Sequence, residues 1–356
     1  MVNNISLNKG LCILAEHKSD DLSVFIVGEK IQENKPANGG LRLLCYPSDE
    51  ECINDGLRLA NLMKYKHDIY STGFSGGKVV ARAKNPSSIK RKLITITAEL
   101  LESLNGQMIT GCDLNTTIND MEQLQQLTPH VLAAVGSDID ASTATAYGVI
   151  GALDAYQKSL RPQERKQKTV LVHGCGAVGS VVAKLLIDMS WKVLTVDIDP
   201  GKSHIDGALP LDASSEWWNE NFDVLIPCSI SGLLTENIVR SLKACAVIPA
   251  ANAPFSDPSN IDILWKKNIV VVPDPIVNAG AVIADSIELF DPDSWNNSDP
   301  GEIYKFVKSC VFENTSIFLK LKAKGLSVEN IIEKIIEMKS SKPIGLRFSK
   351  RENEKN

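Results

Sequence analysis

The feature that most constrains the fold of this 356-residue chain is a glycine pattern set between an apolar stretch and an amphipathic one. In KTVLVHGCGAVGSVVAKLL, the three glycines Gly174, Gly176 and Gly179 follow an apolar strand-like run directly and open a helix-like run. The first glycine permits a tight turn, the second lets a pyrophosphate approach the backbone, and the third lets helix and strand pack closely. The N–H groups that begin the helix, at Ala177 and Val178, are then free to face the phosphates. The pattern predicts a dinucleotide site.

The next apolar strand, WKVLTVD, ends in Asp197. An acid at this position accepts hydrogen bonds from the adenosine ribose hydroxyls, and its charge repels a 2'-phosphate, which favours NAD over NADP. Lys202 follows closely and could still help to bind a phosphate, so NADP stays open. The competing interpretation is a tight packing turn without any cofactor. Strand, helix and acid together favour the cofactor site.

Several near-continuous apolar strands surround this motif: FDVLIPC, ACAVIPA and IVVVPDP follow the two already named. Such strands are typical of a parallel sheet covered on both faces. The chain length favours two domains. The first third alternates extended and helical patterns, with a helix opened by Ser48 and Glu51, and RPQERKQK is a loop-like connection. We therefore expect an α/β protein, with residues 1–142 as one domain and 143–319 as a Rossmann-type, doubly wound domain.

Composition excludes several function classes. There are 38 Lys and Arg residues against 43 Asp and Glu residues, a net charge of -5, so no general attraction to nucleic acid is expected. No apolar run is long enough to span a bilayer and the N-terminus has no signal-peptide pattern, so no membrane association and a cytoplasmic location are expected. The eight cysteines form no CxxC pair, which predicts no metal site and mostly buried thiols.

Short motifs also recur in a fixed order along the chain. They are GGLR at 39–42, MKYK at 63–66, SGGK at 75–78, TGCDLNT at 110–116, TAYGV at 145–149, GCGAVG at 174–179 and VNAG at 277–280. In this order and spacing the chain resembles the glutamate/leucine/phenylalanine/valine dehydrogenase family over about residues 10 to 340. The resemblance implies an N-terminal α/β substrate and oligomerisation domain, a C-terminal NAD-binding domain and an active site in the cleft between them. It also implies that C-terminal helices at about 320–356 pack back on the first domain.

The resemblance implies roles for three charged residues. Lys66 would bind the substrate carboxylate, Lys78 would be the catalytic lysine and Asp113 the general base. An amino acid gives up hydride only after its ammonium loses a proton, and the iminium must then be attacked by water, so one carboxylate base serves both proton transfers. A buried lysine beside it polarises the water and stabilises the carbinolamine oxygen, and desolvation lowers its pKa.

Other positions carry over from the same resemblance. Gly39 and Gly40 would line the substrate site, Asn252 and Asn278 would contact substrate carboxylate and nicotinamide, and Thr145 would touch the carboxamide. Asn38 and Asp285 would face the substrate side chain. Since a carboxylate in a closed pocket is costly, Asp285 argues against leucine or glutamate and for a polar, cationic or aromatic side chain such as tryptophan. The alternative is that Asp285 turns away from the pocket and pairs with a nearby lysine or a helix N-terminus.

The chain departs from the family pattern at several positions. GGGK is SGGK with Ser75, the second glycine of VNAGG is Ala281, an Asn-Asn pair is Asn252-Ala253, and Asp140-Ala141-Ser142-Thr143 replaces DPSP. His67 and Asp68 stand where relatives often have small residues. These departures leave the core chemistry possible and indicate a specialised paralogue.

The leading hypothesis is an NAD-dependent L-amino acid dehydrogenase that interconverts an amino acid with its 2-oxo acid and ammonia, as a homo-oligomer, either a dimer or an octamer. Two alternatives stay open: a paralogue that binds cofactor or amino acid without turnover, and a 2-hydroxy-acid dehydrogenase. The last usually relies on a histidine acid/base, and none of the five histidines has a convincing motif for that role.

Overall fold

A computed structural model describes residues 10–30, 35–132, 134–165 and 168–349. The chain divides into two compact units. Of the described residues, the mixed-sheet unit comprises those within 10–140, 285–297 and 339–349, and the parallel-sheet unit comprises those within 141–284 and 298–338. Each unit buries an apolar core of its own.

The mixed-sheet unit is built on a six-stranded sheet. Its strands are β1 Leu11–Lys18, β2 Leu22–Glu29, β3 Ala37–Asn38, β4 Leu41–Leu44, β5 Ser75–Ala83 and β6 Met108–Ile109, and its first helices are α1 Asp49–Tyr70, α2 Lys90–Ser103 and α3 Ile118–Gln125. The order is β1-β2-β5-β3-β6, with β4 also paired to β5. The β1–β2 and β2–β5 pairs are antiparallel. The β3–β5, β3–β6 and β4–β5 pairs are parallel.

Helix α1 packs across β5 and β2, and its N-cap is Ser48, the residue with which the sequence predicts that a helix opens. The Ser48 hydroxyl accepts a hydrogen bond from the Glu51 backbone N–H at 3.2 Å, which satisfies one of the unpaired donors of the first turn. The helix ends at Ser71, which adopts a left-handed conformation with φ 48°. Its last turns carry Lys66 and His67 on the buried side, over β5.

The parallel-sheet unit has six parallel strands: β7 Thr169–His173, β8 Lys192–Val196, β9 Leu209–Pro210, β10 Val224–Pro227, β11 Ala246–Val247 and β12 Val270–Val271. They lie in the order β12-β11-β10-β7-β8-β9. This is the strand order of doubly wound dinucleotide-binding domains, in which the direction of the connections reverses between β7 and β10. The predicted α/β class and the doubly wound parallel sheet are confirmed.

The remaining helices are α4 Ala141–Ser159, α5 Ala177–Asp188, α6 Pro200–Ser203, α7 Glu236–Ser241, α8 Asn260–Lys266, α9 Asp274–Val277, α10 Gly280–Phe290, α11 Pro292–Asn297, α12 Pro300–Lys322 and α13 Val328–Glu337. Short 3-10 turns cover Pro162–Glu164, Trp217–Asn219 and Ile344–Arg347. None of the helices in the described part of the chain is both long enough and apolar enough to cross a membrane.

The division between the units falls between residues 140 and 141, and again inside α10. The C-terminal part is divided between the two units. Residues 298–338 cluster with the parallel-sheet unit, and residues 339–349 cluster with the mixed-sheet unit. The reason is the apolar face of α13, where Ile331, Ile332 and Ile335 are buried and the helix packs against α12.

The cysteines also differ from expectation. All eight are free thiols, but only Cys52, Cys175 and Cys310 are buried. Two are intermediate in exposure, and Cys45, Cys112 and Cys245 are exposed. The prediction of mostly buried thiols is therefore wrong, because single cysteines at loop positions gain no burial from the neighbouring strands.

Candidate functional site

The centre of the site in the mixed-sheet unit is an ion pair between Lys78 and Asp113. Lys78 lies in the middle of the sheet on β5 and is 6 % exposed, while Asp113 follows β6 in the loop 110–116. Lys78 Nζ is 2.7 Å from Asp113 Oδ2. The two residues predicted to do the chemistry are thus in direct contact.

Arg42 is a second cation on the same carboxylate oxygen. Its Nε donates to Asp113 Oδ2 at 2.8 Å, and its terminal NH1 lies 3.2 Å from Asp55 Oδ2. Asp55 in turn accepts hydrogen bonds from Tyr46 and Arg58 at 2.7 Å each. The sequence offered Arg42 only as the last letter of GGLR, and the contact with Asp113 spans 71 positions, so no local pattern could assign this role.

This cluster shifts the titration of its members. Burial by itself would raise the pKa of the Asp113 carboxyl. The nearby charges of Lys78 and Arg42 outweigh this effect and hold that pKa well below its usual range. Burial also lowers the pKa of Lys78, against the opposing attraction of Asp113. Asp113 is therefore a carboxylate at neutral pH. Among the described residues no donor bonds its other oxygen, Oδ1.

The loop that carries Asp113 is held by backbone contacts. The Asp113 N–H donates to Thr116 Oγ1 at 2.9 Å, and that hydroxyl lies 2.7 Å from the Leu41 carbonyl. A Cβ at Gly40 would stand 2.4 Å from the Cys112 carbonyl oxygen and 2.9 Å from the Asp113 Cβ. Only glycine at position 40 lets the β4 segment approach this loop.

Gly39 has a similar packing role, because a Cβ there would stand 1.9 Å from the Gly77 carbonyl oxygen. Both predicted substrate glycines thus fix the backbone around Lys78 and Asp113. Ser75, the departure from GGGK, is buried at the start of β5, where its hydroxyl reaches the Lys35 carbonyl at 3.5 Å. The extra hydroxyl is accommodated by this contact.

Lys66, the predicted carboxylate-binding residue, is 8 % exposed on the last turns of α1. Its neighbour Lys64 is tied down by two acids, Asp68 Oδ2 at 2.7 Å and Glu29 Oε1 at 3.1 Å. Glu29 also accepts from the Gly76 N–H at 3.3 Å. These contacts link α1 to β2 and β5, the strand that carries Lys78.

Asn38 and Asp285, the two positions expected to face the substrate side chain, are in contact. Asn38 Nδ2 donates to Asp285 Oδ2 at 3.3 Å. Burial, together with nearby Glu288, raises the pKa of Asp285 to about 8, so the neutral acid predominates at pH 7. For the alternative, in which Asp285 turns away from the pocket and pairs with a lysine or a helix N-terminus, no such partner is found among the described residues. The second Asn38 amide atom, Oδ1, is buried and has no partner among the described residues.

His67 supports Asn38 from behind. The ring is 1 % exposed and burial lowers its pKa to about 3, so it is neutral. Nε2 lies 3.4 Å from the Asn38 carbonyl and Nδ1 lies 2.7 Å from Thr72 Oγ1, which fits an Nε2–H tautomer that accepts from the threonine hydroxyl. His67 and Asp68, which looked like departures, therefore hold Asn38 and Lys64 respectively.

The glycine turn of the parallel-sheet unit has the geometry that a pyrophosphate needs. Gly174 has φ +92°, and a Cβ at Gly179 would stand 1.9 Å from the Gly174 carbonyl oxygen. A Cβ at Gly176, in contrast, would meet nothing within 4 Å. Two glycines therefore build the turn, and the third faces open space beside the exposed first residue of α5, Ala177. The residues fit a bound dinucleotide.

Asp197 is fixed at the end of β8. Its Oδ2 accepts from the Cys175 N–H at 2.7 Å and its Oδ1 from the Asp199 N–H at 2.9 Å. Each oxygen keeps a lone pair for a ribose hydroxyl. A cavity of about 660 Å³ adjoins it, lined also by Asp212, His204 and the strongly exposed Ile198. Two carboxylates at one cavity disfavour an added phosphate.

Asn278 and Asn252 are brought together after the strands β12 and β11. Asn278 Nδ2 donates to Asn252 Oδ1 and to the Ala250 carbonyl, at 3.0 Å each. Asn278 Oδ1 is buried without a partner among the described residues, which leaves an acceptor for an amide such as the nicotinamide carboxamide. The Thr145 hydroxyl bonds the Ala141 carbonyl at 3.0 Å within α4, so it is held in one orientation.

The two departures in this unit have different costs. Ala253 has φ 44°, a left-handed conformation that Asn adopts more readily than Ala. Ala281 lies inside α10, where Ala is favourable, and the glycine that the packing requires is Gly280, whose Cβ would stand 2.2 Å from the Ala144 carbonyl oxygen. Within the described residues no group of three metal-ligating side chains is present.

Comparison with known proteins agrees with this geometry. Residues 26–130 match the family model described as Glu/Leu/Phe/Val dehydrogenase, dimerisation domain. Residues 136–201 and 198–316 match the model described as Glutamate/Leucine/Phenylalanine/Valine dehydrogenase. Together the matches cover most of the chain.

Individual relatives are similar over much of their length. The chain is 33 % identical to a phenylalanine dehydrogenase of Caldalkalibacillus thermarum (72 % of this chain, 73 % of that protein) and 31 % identical to a leucine dehydrogenase of Geobacillus stearothermophilus (72 % and 71 %). It is 28 % identical to an L-tryptophan dehydrogenase of Nostoc punctiforme over 85 % of each chain. A solved L-tryptophan dehydrogenase from Nostoc punctiforme aligns at TM-score 0.72 and 24 % identity, covering 92 % of this chain and 94 % of that one. A solved hetero-hexameric glutamate dehydrogenase from Thermus thermophilus aligns at TM-score 0.74 and 21 % identity, covering 92 % of this chain and 88 % of that one.

Proposed function

The chain belongs to the glutamate/leucine/phenylalanine/valine dehydrogenase family, and from this premise we propose that it is an NAD-dependent L-amino acid dehydrogenase for a substrate whose side chain donates a hydrogen bond. Members of this family are amino acid dehydrogenases, oxidoreductases that act on a CH–NH2 group with a nicotinamide cofactor. The reaction converts an L-amino acid reversibly to its 2-oxo acid and ammonia. The observation that carries the substrate proposal is the Asn38–Asp285 contact.

The Lys78–Asp113 pair supports the proposed chemistry. Asp113 Oδ1, the oxygen that neither cation contacts, accepts the proton that the substrate ammonium must lose and releases it to solvent. It then accepts the proton of the attacking water and returns it to the nitrogen that leaves as ammonia. Lys78, whose pKa burial lowers, polarises that water and stabilises the carbinolamine oxygen. Lys66 supplies the charge that holds the α-carboxylate. The bound nicotinamide supplies a hydride acceptor.

The proposed substrate follows from the hydrogen-bonding balance around Asn38. Asn38 Oδ1 is a buried acceptor without a partner, and an unpaired buried acceptor costs free energy that a ligand donor would recover. The raised pKa of Asp285 keeps it neutral at pH 7, which favours a neutral donor such as an indole N–H over a lysine or arginine side chain. An aliphatic side chain leaves the acceptor unpaired, and the 28 % identity to an L-tryptophan dehydrogenase agrees with this reading.

The test measures kcat/KM for tryptophan, lysine, arginine, leucine and glutamate, with the rate monitored as formation of NADH. We expect kcat/KM for tryptophan to exceed that for lysine, arginine, leucine and glutamate, and Asp285→Val to narrow the ratio of tryptophan to leucine by at least about tenfold. Lys78→Ala and Asp113→Asn lose at least about a hundredfold with every substrate while still binding cofactor. Leucine or glutamate as the best substrate would defeat the side-chain proposal, and full activity of Lys78→Ala would defeat the mechanism.

The proposed preference for NAD over NADP rests on Asp197 and Asp212, the two carboxylates that line the cavity of about 660 Å³. Asp197→Ser removes the hydroxyl acceptor and one negative charge, so the ratio of kcat/KM with NAD to that with NADP should fall by at least about tenfold. Lys202→Gln is the control, because its exposed ammonium is the only nearby group that the sequence suggested for a 2'-phosphate. A wild-type enzyme that uses NADP better contradicts the assignment.

We further propose a homo-oligomer, because residues 26–130 match a dimerisation domain. Sedimentation velocity of the purified chain across a hundredfold range of concentration measures the assembly. A dimer or octamer that persists through dilution is the expected result, and a monomer at all concentrations is the contrary one.

A further inference from the structure

The parallel-sheet unit contains a second cavity that no step of the proposed reaction uses. Its volume is about 740 Å³, and it lies among α4, α8, β12 and α12. The walls include Trp265, Phe312, Leu319 and Val270, so much of the surface is apolar. It shares no lining residue with the glycine turn or with the cavity at Asp197. The volume is that of a typical small-molecule site.

Three lysines, Lys158, Lys320 and Lys322, also line this cavity, and no acidic residue does. Within the described part of the chain none of the three is in a salt bridge, although the chain as a whole has a net charge of -5. The ammonium of Lys322 lies 4.5 Å from the Trp265 ring centroid, and that of Lys158 lies 5.3 Å from the Phe312 centroid. Cation–π contacts of this kind keep the charges against the apolar wall.

Trp265 provides an independent observation. Its indole Nε1–H is buried and has no acceptor among the described residues. A buried donor without a partner costs free energy until an acceptor arrives. The cavity therefore combines an apolar wall, three uncompensated positive charges and a buried donor in a residue that lines it.

We propose that this cavity binds an amphipathic organic anion. The apolar or aromatic body of the ligand packs on Trp265, Phe312 and Leu319, and its carboxylate or phosphate group is held by Lys158, Lys320 and Lys322. An inorganic anion would leave the apolar wall unfilled, and a neutral apolar molecule would leave the lysines without counter-charge. Only a ligand with both parts satisfies the whole lining.

The direct test uses 8-anilinonaphthalene-1-sulfonate, an anion with an aromatic body whose fluorescence rises on binding. The intact chain is titrated with saturating NAD present, so that the dinucleotide site does not contribute. N-phenyl-1-naphthylamine, which has the aromatic body without the charge, is the matched probe. We expect the anionic probe to bind at least about tenfold more tightly, and its affinity to fall with added salt.

The double variant Lys158→Gln/Lys322→Gln should weaken the anionic probe about tenfold, since two partly exposed charge contacts are lost. Lys192→Gln/Lys243→Gln, at two exposed lysines elsewhere on the same unit, makes the same change in net charge and should alter the affinity less than twofold. Ser316→Trp, which fills the cavity without removing charge, should weaken both probes. A thermal melt of each variant verifies folding, and Lys320→Gln serves if the double variant does not fold.

Displacement of the bound probe by phenylacetate or by phenyl phosphate distinguishes a carboxylate from a phosphate ligand, and displacement by either supports the site. Equal affinity of the lysine variant, its charge-matched control and the wild type would overturn the proposal. So would binding of the neutral probe as tight as that of the anion. None of these measurements depends on turnover, so their failure and the failure of the proposed reaction are distinguishable.

Discussion

Asp113 has both of its cations on one oxygen, with Lys78 at 2.7 Å and Arg42 at 2.8 Å from Oδ2. In the proposed reaction this asymmetry leaves Oδ1 as the proton acceptor. The two cations also differ in their surroundings, because Arg42 is anchored to Asp55 on its other side while Lys78 is not. We therefore propose that Arg42 is a positioning residue that also keeps Asp113 ionised.

We predict that Arg42→Gln moves the acidic limb of the pH profile of kcat/KM to higher pH. Arg42 lowers the pKa of Asp113, and Asp113 works only as a carboxylate, so removal of the cation raises its pKa and activity is lost earlier on acidification. A shift of about one pH unit is expected, with Arg42→Lys restoring part of it. Arg58→Gln is the control, because Arg58 contacts Asp55 and leaves Asp113 untouched. An unchanged acidic limb in Arg42→Gln would refute the role.

Sequence reasoning reached the residues that have fixed motifs and missed those defined by distant contacts. Lys78 and Asp113 were identified by family motifs, and the structure places them within hydrogen-bonding distance. Arg42 and His67 were assigned no role, since their partners lie 71 and 29 positions away. A contact between distant positions leaves no periodic signal in one sequence.

At the scale of elements, the β7–α5 turn contains two glycines that the packing requires, Gly174 and Gly179, and one that faces open space, Gly176. Gly179 touches the Gly174 carbonyl and leaves no room for a methyl group, while Gly176 has open space around it and φ -74° that alanine adopts freely. The same three-glycine motif thus meets two different physical requirements, close packing at Gly179 and open space at Gly176.

We predict opposite effects for two identical substitutions in this turn. Gly179→Ala should destabilise the protein by at least about 2 kcal/mol, because the new Cβ overlaps backbone that has no room to move. Gly176→Ala should leave the unfolding midpoint unchanged and weaken NAD binding about tenfold, because its methyl group occupies the space meant for the pyrophosphate. Urea unfolding and NAD titration measure the two quantities. NAD affinity that is unaffected by Gly176→Ala would favour a packing turn without cofactor.

The long elements were predictable and most of the short ones were not; of the two-residue strands, β11 and β12 lie in the predicted apolar runs ACAVIPA and IVVVPDP. The apolar runs that became β2, β7, β8 and β10 are visible in the sequence, as is α1 with its Ser48 cap. The two-residue strands β3, β6 and β9 have too few positions for an alternating pattern, although β3 carries Asn38. Their existence is decided by pairing with distant strands, which is a tertiary effect.

For the whole molecule, three buried titratable groups set opposing pH dependences of stability. Burial lowers the pKa of His67 to about 3 and that of His173 to about 4, so each histidine costs stability as the unfolded chain takes up protons below its usual pKa of about 6.5. Burial raises the pKa of Asp285 to about 8, so its native form keeps a proton that the unfolded chain has lost above about pH 4. Stability from Asp285 therefore falls as pH rises from about 4 to 8.

The sum of the three effects predicts a maximum of stability near pH 6.5 and a decline towards pH 8 that belongs to Asp285 alone. Below that maximum the two histidines outweigh the single acid. Above it the acid outweighs the histidines, because each histidine of the unfolded chain is already half deprotonated at pH 6.5. Asp285→Asn keeps an acceptor for Asn38 and removes the titrating carboxyl. The free energy of unfolding of this variant should therefore not fall between pH 6.5 and 8, whereas that of the wild type falls by at most about 2 kcal/mol. Urea unfolding of wild type and variant at pH 5, 6.5 and 8 measures it. Asp293→Asn, at an exposed acid on α11, is the control and should follow the wild-type curve. A wild-type curve that is flat above pH 6.5, or a variant that declines in parallel with it, would show that Asp285 is ionised in the native protein.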